Sequence, residues 1–215
     1  MRKFFLNSIE EEKKNSSYIE SAIINKVYIS SLEYRAKICS IHTNERVNNI
    51  IYKTIIRILK HRNGTLFEDM YLIHKDTGKI LGVQIHSNSE KKITYNKSII
   101  RAIAKNKNEK CLIAIHNHPE SMSPSDADVN AAIINNYYKS LVVCHDGTVF
   151  EYSKGKCNNT IKNSYYKKKL ETNKDICYNS EYIGQFTAIE KLSREMNFRF
   201  REVNYESEES ENKKR

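Results

Sequence analysis

Metal-ligand chemistry is concentrated in one stretch of this chain, Cys111-Leu-Ile-Ala-Ile-His116-Asn-His118-Pro119-Glu-Ser-Met-Ser123-Pro124-Ser125-Asp126-Ala-Asp128. An apolar run leads straight into two histidines spaced i, i+2. Alternate residues of a strand point to the same face, so His116 and His118 converge on one ion if the strand continues through Asn117. Imidazole and carboxylate are the ligands of catalytic zinc, which takes three from the protein and keeps one position for water. Pro119 has no N–H to give to a ladder, so pairing is expected to stop there. The chain's two prolines, Pro119 and Pro124, both fall in this stretch.

The residues after Pro119 read as a loop and a helix start. Ser123 or Ser125 can cap the helix, and Pro124 suits its first turn. Asp126 and Asp128 favour the positive end of the helix dipole. Asp128 falls in the first turn and faces the strand end if the loop folds back, which makes it the third candidate ligand; Asp126 competes for that role. Each piece has a plainer explanation: histidine pairs at i, i+2 recur by chance, and Ser125-x-x-Asp128 is a variant of the capping box. Their meeting at the junction of a buried strand and a helix is what points to a metal.

His116-x-His118-Pro119 followed by Ser125-x-x-Asp128 resembles the JAMM motif of the MPN/JAB-domain metallopeptidases. Its wording is most similar to that of RadC-like and bacterial or phage JAB proteins. The resemblance spans roughly residues 68–152 and has one departure: the loop from His118 to Ser125 is one residue shorter than the commonest family spacing, which keeps Asp126 open as the carboxylate ligand. The resemblance implies an α/β fold of MPN/JAB (cytidine-deaminase-like) type, a mixed sheet flanked by helices. It implies Zn2+ held by His116, His118 and Asp128. Glu68, ahead of an apolar strand, a turn with Gly78 and a second strand, would be the base, and Ser125 would donate to the oxyanion. The implied reaction is hydrolysis of an amide in a peptide or ubiquitin-like protein substrate. Glu120, in the motif loop, is the next candidate base. Two rival readings remain: a RadC-like protein acting near DNA, and a non-catalytic MPN-type scaffold.

Composition sets the frame around this site. The 215 residues carry a net charge of +10 and 39% hydrophobic residues; the pI is near 9.2 and the mean hydropathy −0.67. This basic balance admits nucleic acid as a partner, but the lysines are spread along the chain rather than gathered into a clustered footprint. Five cysteines, with no Cys-x-x-Cys pair, point to reduced thiols and a cytoplasmic protein. Cys111 and Cys144, in apolar runs, read as small core residues. No run is long enough to cross a membrane, and the N-terminus lacks the apolar stretch of a signal peptide.

The elements that must position the site follow from periodicity. Val47, Ile50, Ile51, Ile55, Ile58 and Leu59 recur at helical spacing, with Thr43 or Asn44 to cap and Gly64 to stop, and predict a helix beside the first sheet strand. Residues 68–73 and 79–85 predict a strand pair about Gly78. Residues 98–105 predict a short helix with Ile99, Ile100 and Ile103 on one face. The motif strand follows at 112–116 and the motif helix at 126–139. Residues 140–144 and 148–152 predict a hairpin about Asp146-Gly147. The expected order is ββαβαββ over residues 68–152, after the helix, within a domain of residues 43–155. Residues 1–42 form an N-terminal extension with helical character. Residues 156–215 form a Lys-, Asn- and Tyr-rich C-terminal extension with one helix over 187–196 and a disordered charged tail. His42, His61, His74, His86 and His145 read as surface or helix-end residues, with His145 close enough to the hairpin turn to approach the site.

Overall fold

The computed structural model describes residues 19–87, 89–176 and 180–204; the charged tail at 206–215 and Cys177 lie outside them. The chain is α/β, with a mixed sheet of six strands flanked by helices. In chain order the elements are α1 (Lys26–Ile29), α2 (Leu32–Cys39), α3 (Glu45–Arg62), β1 (Met70–His74), β2 (Ile80–Gln84), α4 (Lys97–Asn106), β3 (Leu112–His118), α5 (Asp126–Ile134), β4 (Lys139–Cys144), β5 (Val149–Ser153), α6 (Asn163–Ile176), α7 (Glu181–Met196) and β6 (Arg199–Glu202). The sheet order is β2-β1-β3-β4-β5-β6. β3 and β4 are parallel and joined through α5, and every other neighbouring pair is antiparallel. The expected order ββαβαββ is present, with further elements at both ends.

Period-two alternation sorts the strands' side chains into two cores. Tyr71, Ile73, Ile113, Ile115, Leu141 and Val143 meet the isoleucine stripe of α3, which includes Val47, Ile51, Ile55 and Ile58. Met70, Leu72, Leu112, Ala114 and Val142 face the opposite layer, against Ile99 and Ile103 of α4, Val129 and Ala132 of α5, and Ile189 and Leu192 of α7. Burying a branched aliphatic side chain contributes about 1.5–3 kcal/mol, so both layers are strongly held. β3 lies between them and is buried along its whole length.

Several boundaries differ from expectation for local reasons. The motif strand runs past Ile115 and Asn117 to His118. The motif helix stops at Ile134 rather than 139: Asn136 turns to φ +52°, and the Tyr137 N–H returns to the Ala132 carbonyl at 3.1 Å, which starts β4 at Lys139. Ile100 is 54% exposed, because at 100° per residue it cannot share a face with Ile99; Ala102 completes the inward stripe. Asn44, not Thr43, caps α3, accepting the Val47 N–H at 3.2 Å.

The two extensions are built into the fold. β6 pairs with β5, and Phe150, Phe186 and Phe200 form one aromatic group with centroids 5.6–6.0 Å apart, tying α7 to the sheet. On the other layer, α1 and α2 pack against the β4–β5 turn. The buried Lys37 amine donates to the Gly147 carbonyl at 3.0 Å, and the Tyr28 ring covers the glycine. The four described cysteines, Cys39, Cys111, Cys144 and Cys157, are free thiols. Among the described residues no helix is long and apolar enough to cross a membrane.

Gly147 has φ +97°, and a Cβ there would stand 2.4 Å from Tyr28 Cδ1. Gly147→Ala is expected to lose roughly 1–3 kcal/mol of stability, since an L side chain is strained in that region and the Tyr28 ring must move. Urea unfolding checks this; an unchanged midpoint would show that α1 does not rest on the turn.

Candidate metal centre

β3 carries the first two candidate ligands. The backbone pairs His116 with Met70 of β1 and with Val142 of β4, so strand neighbours hold His116 on both sides. His116 and His118 point to the α5 face, and their Nε2 atoms lie 3.1 Å apart. Both are buried, with 4% and 9% of their surface exposed. The loop after Pro119 doubles back and starts α5 at Asp126. Asp128, in the first turn, brings Oδ1 to 3.3 Å from His116 Nε2 and Oδ2 to 3.5 Å from His118 Nε2. The ligand atoms of all three lie within 4.8 Å of one another.

Their surroundings fix which atoms face inward. His118 Nδ1 is 2.8 Å from the Met122 carbonyl. A carbonyl only accepts, so Nδ1 carries a proton and Nε2 is the nitrogen turned to the cleft, the one that would present a lone pair to a metal once its own proton is lost. Asp128 Oδ2 accepts the Ser125 N–H at 2.8 Å and the Ser125 hydroxyl at 2.7 Å, and the Asp128 N–H returns to Ser125 Oγ at 3.3 Å. Ser125-x-x-Asp128 is therefore a true capping box that also aims the carboxylate. The hydroxyl proton that the sequence resemblance assigns to an oxyanion rests here on Asp128. Asp126 points elsewhere: its Oδ2 accepts the Asn163 amide of α6 at 3.2 Å. The shortened loop has not shifted the register.

Glu68 precedes β1. It lies two residues before Met70, whose ladder partner is His116, and it lines the same cleft as both histidines. Glu68 is 7% exposed and lines a cleft of about 460 Å3 together with His116, His118, Ser125 and Asp128. Burial pushes its carboxyl pKa up, against the pull of His118 and His116. Glu120 also lines the cleft but is exposed and paired with Lys91 at 2.7 Å, which makes it a poor base. The cleft wall is largely apolar and aromatic, with Met70, Ile93, Tyr95, Tyr137 and Tyr152. Gln185 of α7 lines it too and donates to the Ser123 carbonyl, so the C-terminal extension helps to shape the site.

Comparison with protein-family models, curated proteins and solved structures finds no match to this chain. The functional reading therefore rests on the residues themselves.

A second cluster, His74, Glu109 and Cys111, lies at the other end of β3. Its donors are not set for a metal. His74 Nδ1 accepts the Asp76 N–H at 3.2 Å, which leaves the neutral ring's proton on Nε2. Burial and Glu109 raise the Cys111 thiol pKa, and Glu109 is exposed.

Other polar groups behind the site were not legible as functional. Asp69 is fully buried, with Oδ1 2.5 Å from Arg62 Nε and Oδ2 2.7 Å from His61 Nδ1. His145 is 1% exposed rather than a surface residue. It faces away from the ligands, 3.1 Å from the Asn117 amide. The signal in the sequence was Asn117: a polar residue at a core-facing strand position must find partners.

Of the two aspartates, Asp128 is the one that closes with His116 and His118 into a candidate metal group. Asp128→Asn is expected to weaken zinc binding about tenfold or more, while Asp126→Asn, a helix-end charge worth a few tenths to about 1 kcal/mol, leaves it nearly unchanged. A zinc-competition titration with the reverse ranking would overturn the assignment.

The charges of the pair also predict a pH dependence. Burial disfavours a charged His118, but the hydrogen bond and charge of Asp128 outweigh it and push the His118 pKa up to about 9. Asp128 is held well below the usual carboxylate range, because His116 and His118 more than offset its burial. A histidine whose folded pKa is raised stabilises fully below its unfolded value, near 6.5, and loses that contribution as pH rises through the folded value. The unfolding midpoint of chelator-treated protein should therefore fall from pH 6.5 towards 9, and His118→Gln should remove most of that slope. A midpoint with the same slope in both proteins would show that the ion pair does not form.

Proposed function

We propose that this protein is a zinc-dependent hydrolase of JAMM type that cleaves an amide bond. The observation that carries this reading is the convergence of His116, His118 and Asp128 beside a buried glutamate in one cleft. The mixed sheet supports it: the ligands sit at the carboxyl end of β3 and the amino end of α5, where open α/β sheets place their sites. This arrangement is the one that resemblance to the MPN/JAB domain implies. The completeness of the ligand set weighs against a scaffold role.

His116, His118 and Asp128 would hold the zinc, which when bound supplies Lewis acidity and lowers the pKa of water towards 7. The chain's own residues do the rest. Burial raises the Glu68 pKa and so makes its carboxylate a stronger base, which takes a proton from the attacking water and passes it to the leaving amine. Ser125 holds Asp128 in place, and rotation of its hydroxyl off that carboxylate aims the proton into the cleft, towards an oxyanion. His118 is kept in its working tautomer by the Met122 carbonyl. The apolar and aromatic wall favours a peptide or a ubiquitin-like tail with an apolar side chain next to the scissile amide.

Purified protein is expected to take up about one zinc per chain. Glu68→Gln should keep that zinc but cut peptide cleavage by a factor of about 100 or more, because the amide cannot accept a proton. A peptide mixture analysed by mass spectrometry reads the cleavage. Absence of zinc uptake, or cleavage by Glu68→Gln at the wild-type rate, would sink the respective half of the proposal.

A further inference from the structure

Asn117 lies between the two metal-facing histidines, so the alternation that sends them into the cleft sends its side chain to the opposite face. It is fully buried there. Its Oδ1 accepts the Asp69 N–H at 2.8 Å, and its Nδ2 donates to the Phe67 carbonyl at 3.2 Å. Nδ2 also lies 3.1 Å from His145 Nε2. His145 Nδ1 is 2.6 Å from the Ala22 carbonyl, so Nδ1 carries the proton and Nε2 accepts from Asn117. That chain of donors and acceptors fixes which way the Asn117 amide faces.

The placement matters because the β1–β3 ladder ends at Met70 and His116. Past that rung, one side-chain amide takes over the role of the backbone. It grips the carbonyl before Glu68 and the N–H after it, while the Asp69 carboxylate is anchored by Arg62 and His61. Glu68 is thereby bracketed on both sides, and its own carboxylate is left to the cleft.

We infer that Asn117 is the positioning residue for Glu68: it sets the height of the base over the histidine pair without touching the metal or the substrate. The assignment rests on Glu68 acting as the base. It gives the residue between the two histidines a function of its own, on the face away from the chemistry.

Two variants test it. Asn117→Asp keeps the shape and the acceptor for the Asp69 N–H but loses the donor to Phe67 and His145; Asn117→Ala loses all three contacts. Zinc-loaded protein should hold about one zinc per chain in both, because His118 and Asp128 are oriented by Met122 and Ser125 and His116 by its strand neighbours. Hydrogen exchange at the Asp69 amide, followed by NMR, should rise about tenfold or more in Asn117→Ala and less in Asn117→Asp. On a peptide that the wild type cleaves, kcat should fall in the same order, about tenfold or more for Asn117→Ala, with KM nearly unchanged. If Asn117→Ala does not fold, Asn117→Asp carries the kcat and KM comparison. Wild-type exchange at Asp69 overturns the assignment. So does a uniform rise in exchange across β1 and β3 with kcat per zinc-loaded molecule unchanged, the signature of general loosening. A wild type that takes up no zinc would instead fell the hydrolase reading, and the exchange ordering would still decide whether Asn117 holds the Glu68 segment.

Discussion

Everything at this site depends on one constraint: β3 is buried on both faces, yet it ends in three polar residues, His116, Asn117 and His118. In a buried strand each polar side chain must be satisfied on the face to which the pleat sends it. The two histidines are sent together, to the α5 layer, where a carboxylate meets them. The asparagine goes alone to the α3 layer, where backbone amides and His145 meet it. A slip of one residue in the β1–β3 or β3–β4 register would exchange these faces and leave all three residues wrongly partnered. The aliphatic residues upstream, Leu112 to Ile115, fix that register by filling both cores, so the chemistry at the end of the strand is aligned by the packing at its start.

The amino end of α5 solves two problems with the same atoms. A helix start leaves N–H groups without partners, and a metal site needs a fixed anion. Ser125 and Asp128 answer the first through the capping box and the second by locking Asp128 Oδ2 with two hydrogen bonds. The short return loop is closed by the Met122 carbonyl on His118 and by Gln185 on Ser123. The cap therefore places Asp128 beside the two histidines and leaves Asp126 to Asn163. The register is set by the cap and by the strand end, and the loop only has to connect them.

Much of this was legible in the residues. The isoleucine stripe of α3, the hairpin about Gly147 and the meeting of His116 and His118 with a helix start follow from spacing and local rules; the preference for Asp128 over Asp126 follows from the motif resemblance. What was not legible depended on distant partners. Nothing near Asp69 in sequence shows that Arg62, at the end of α3, and Asn117, on β3, will close on it. The C-terminal segment around Tyr165 and Tyr166 lacks clear periodicity, yet it forms α6. β6 is four residues long and acquires its identity by pairing with β5. The role of Ser125 was read from motif resemblance as a donor to the reaction; its geometry ties it first to the helix and the ligand.

The two layers therefore divide the labour. The α4–α7 side builds the cleft: Tyr95, Tyr137, Tyr152 and Gln185 line it, and Asp128 closes the candidate ligand group. No residue of the α1–α3 side lines the cleft, yet that side holds the backbone around Glu68. Arg62 and His61 end α3 against Asp69, and Ala22 and Asn25 clamp His145 behind Asn117. The N-terminal segment is thus joined to Glu68 by a continuous set of buried hydrogen bonds: Ala22 to His145, His145 to Asn117, Asn117 to both neighbours of the glutamate. A buried polar chain of this kind is costly to leave half made, because each broken link strands a desolvated group. The sequence on the α1–α3 face is consequently constrained by the position of a carboxylate on the opposite side of the sheet. Substitutions there act on Glu68 through the sheet, whereas substitutions on the α4–α7 face act on what the cleft accepts.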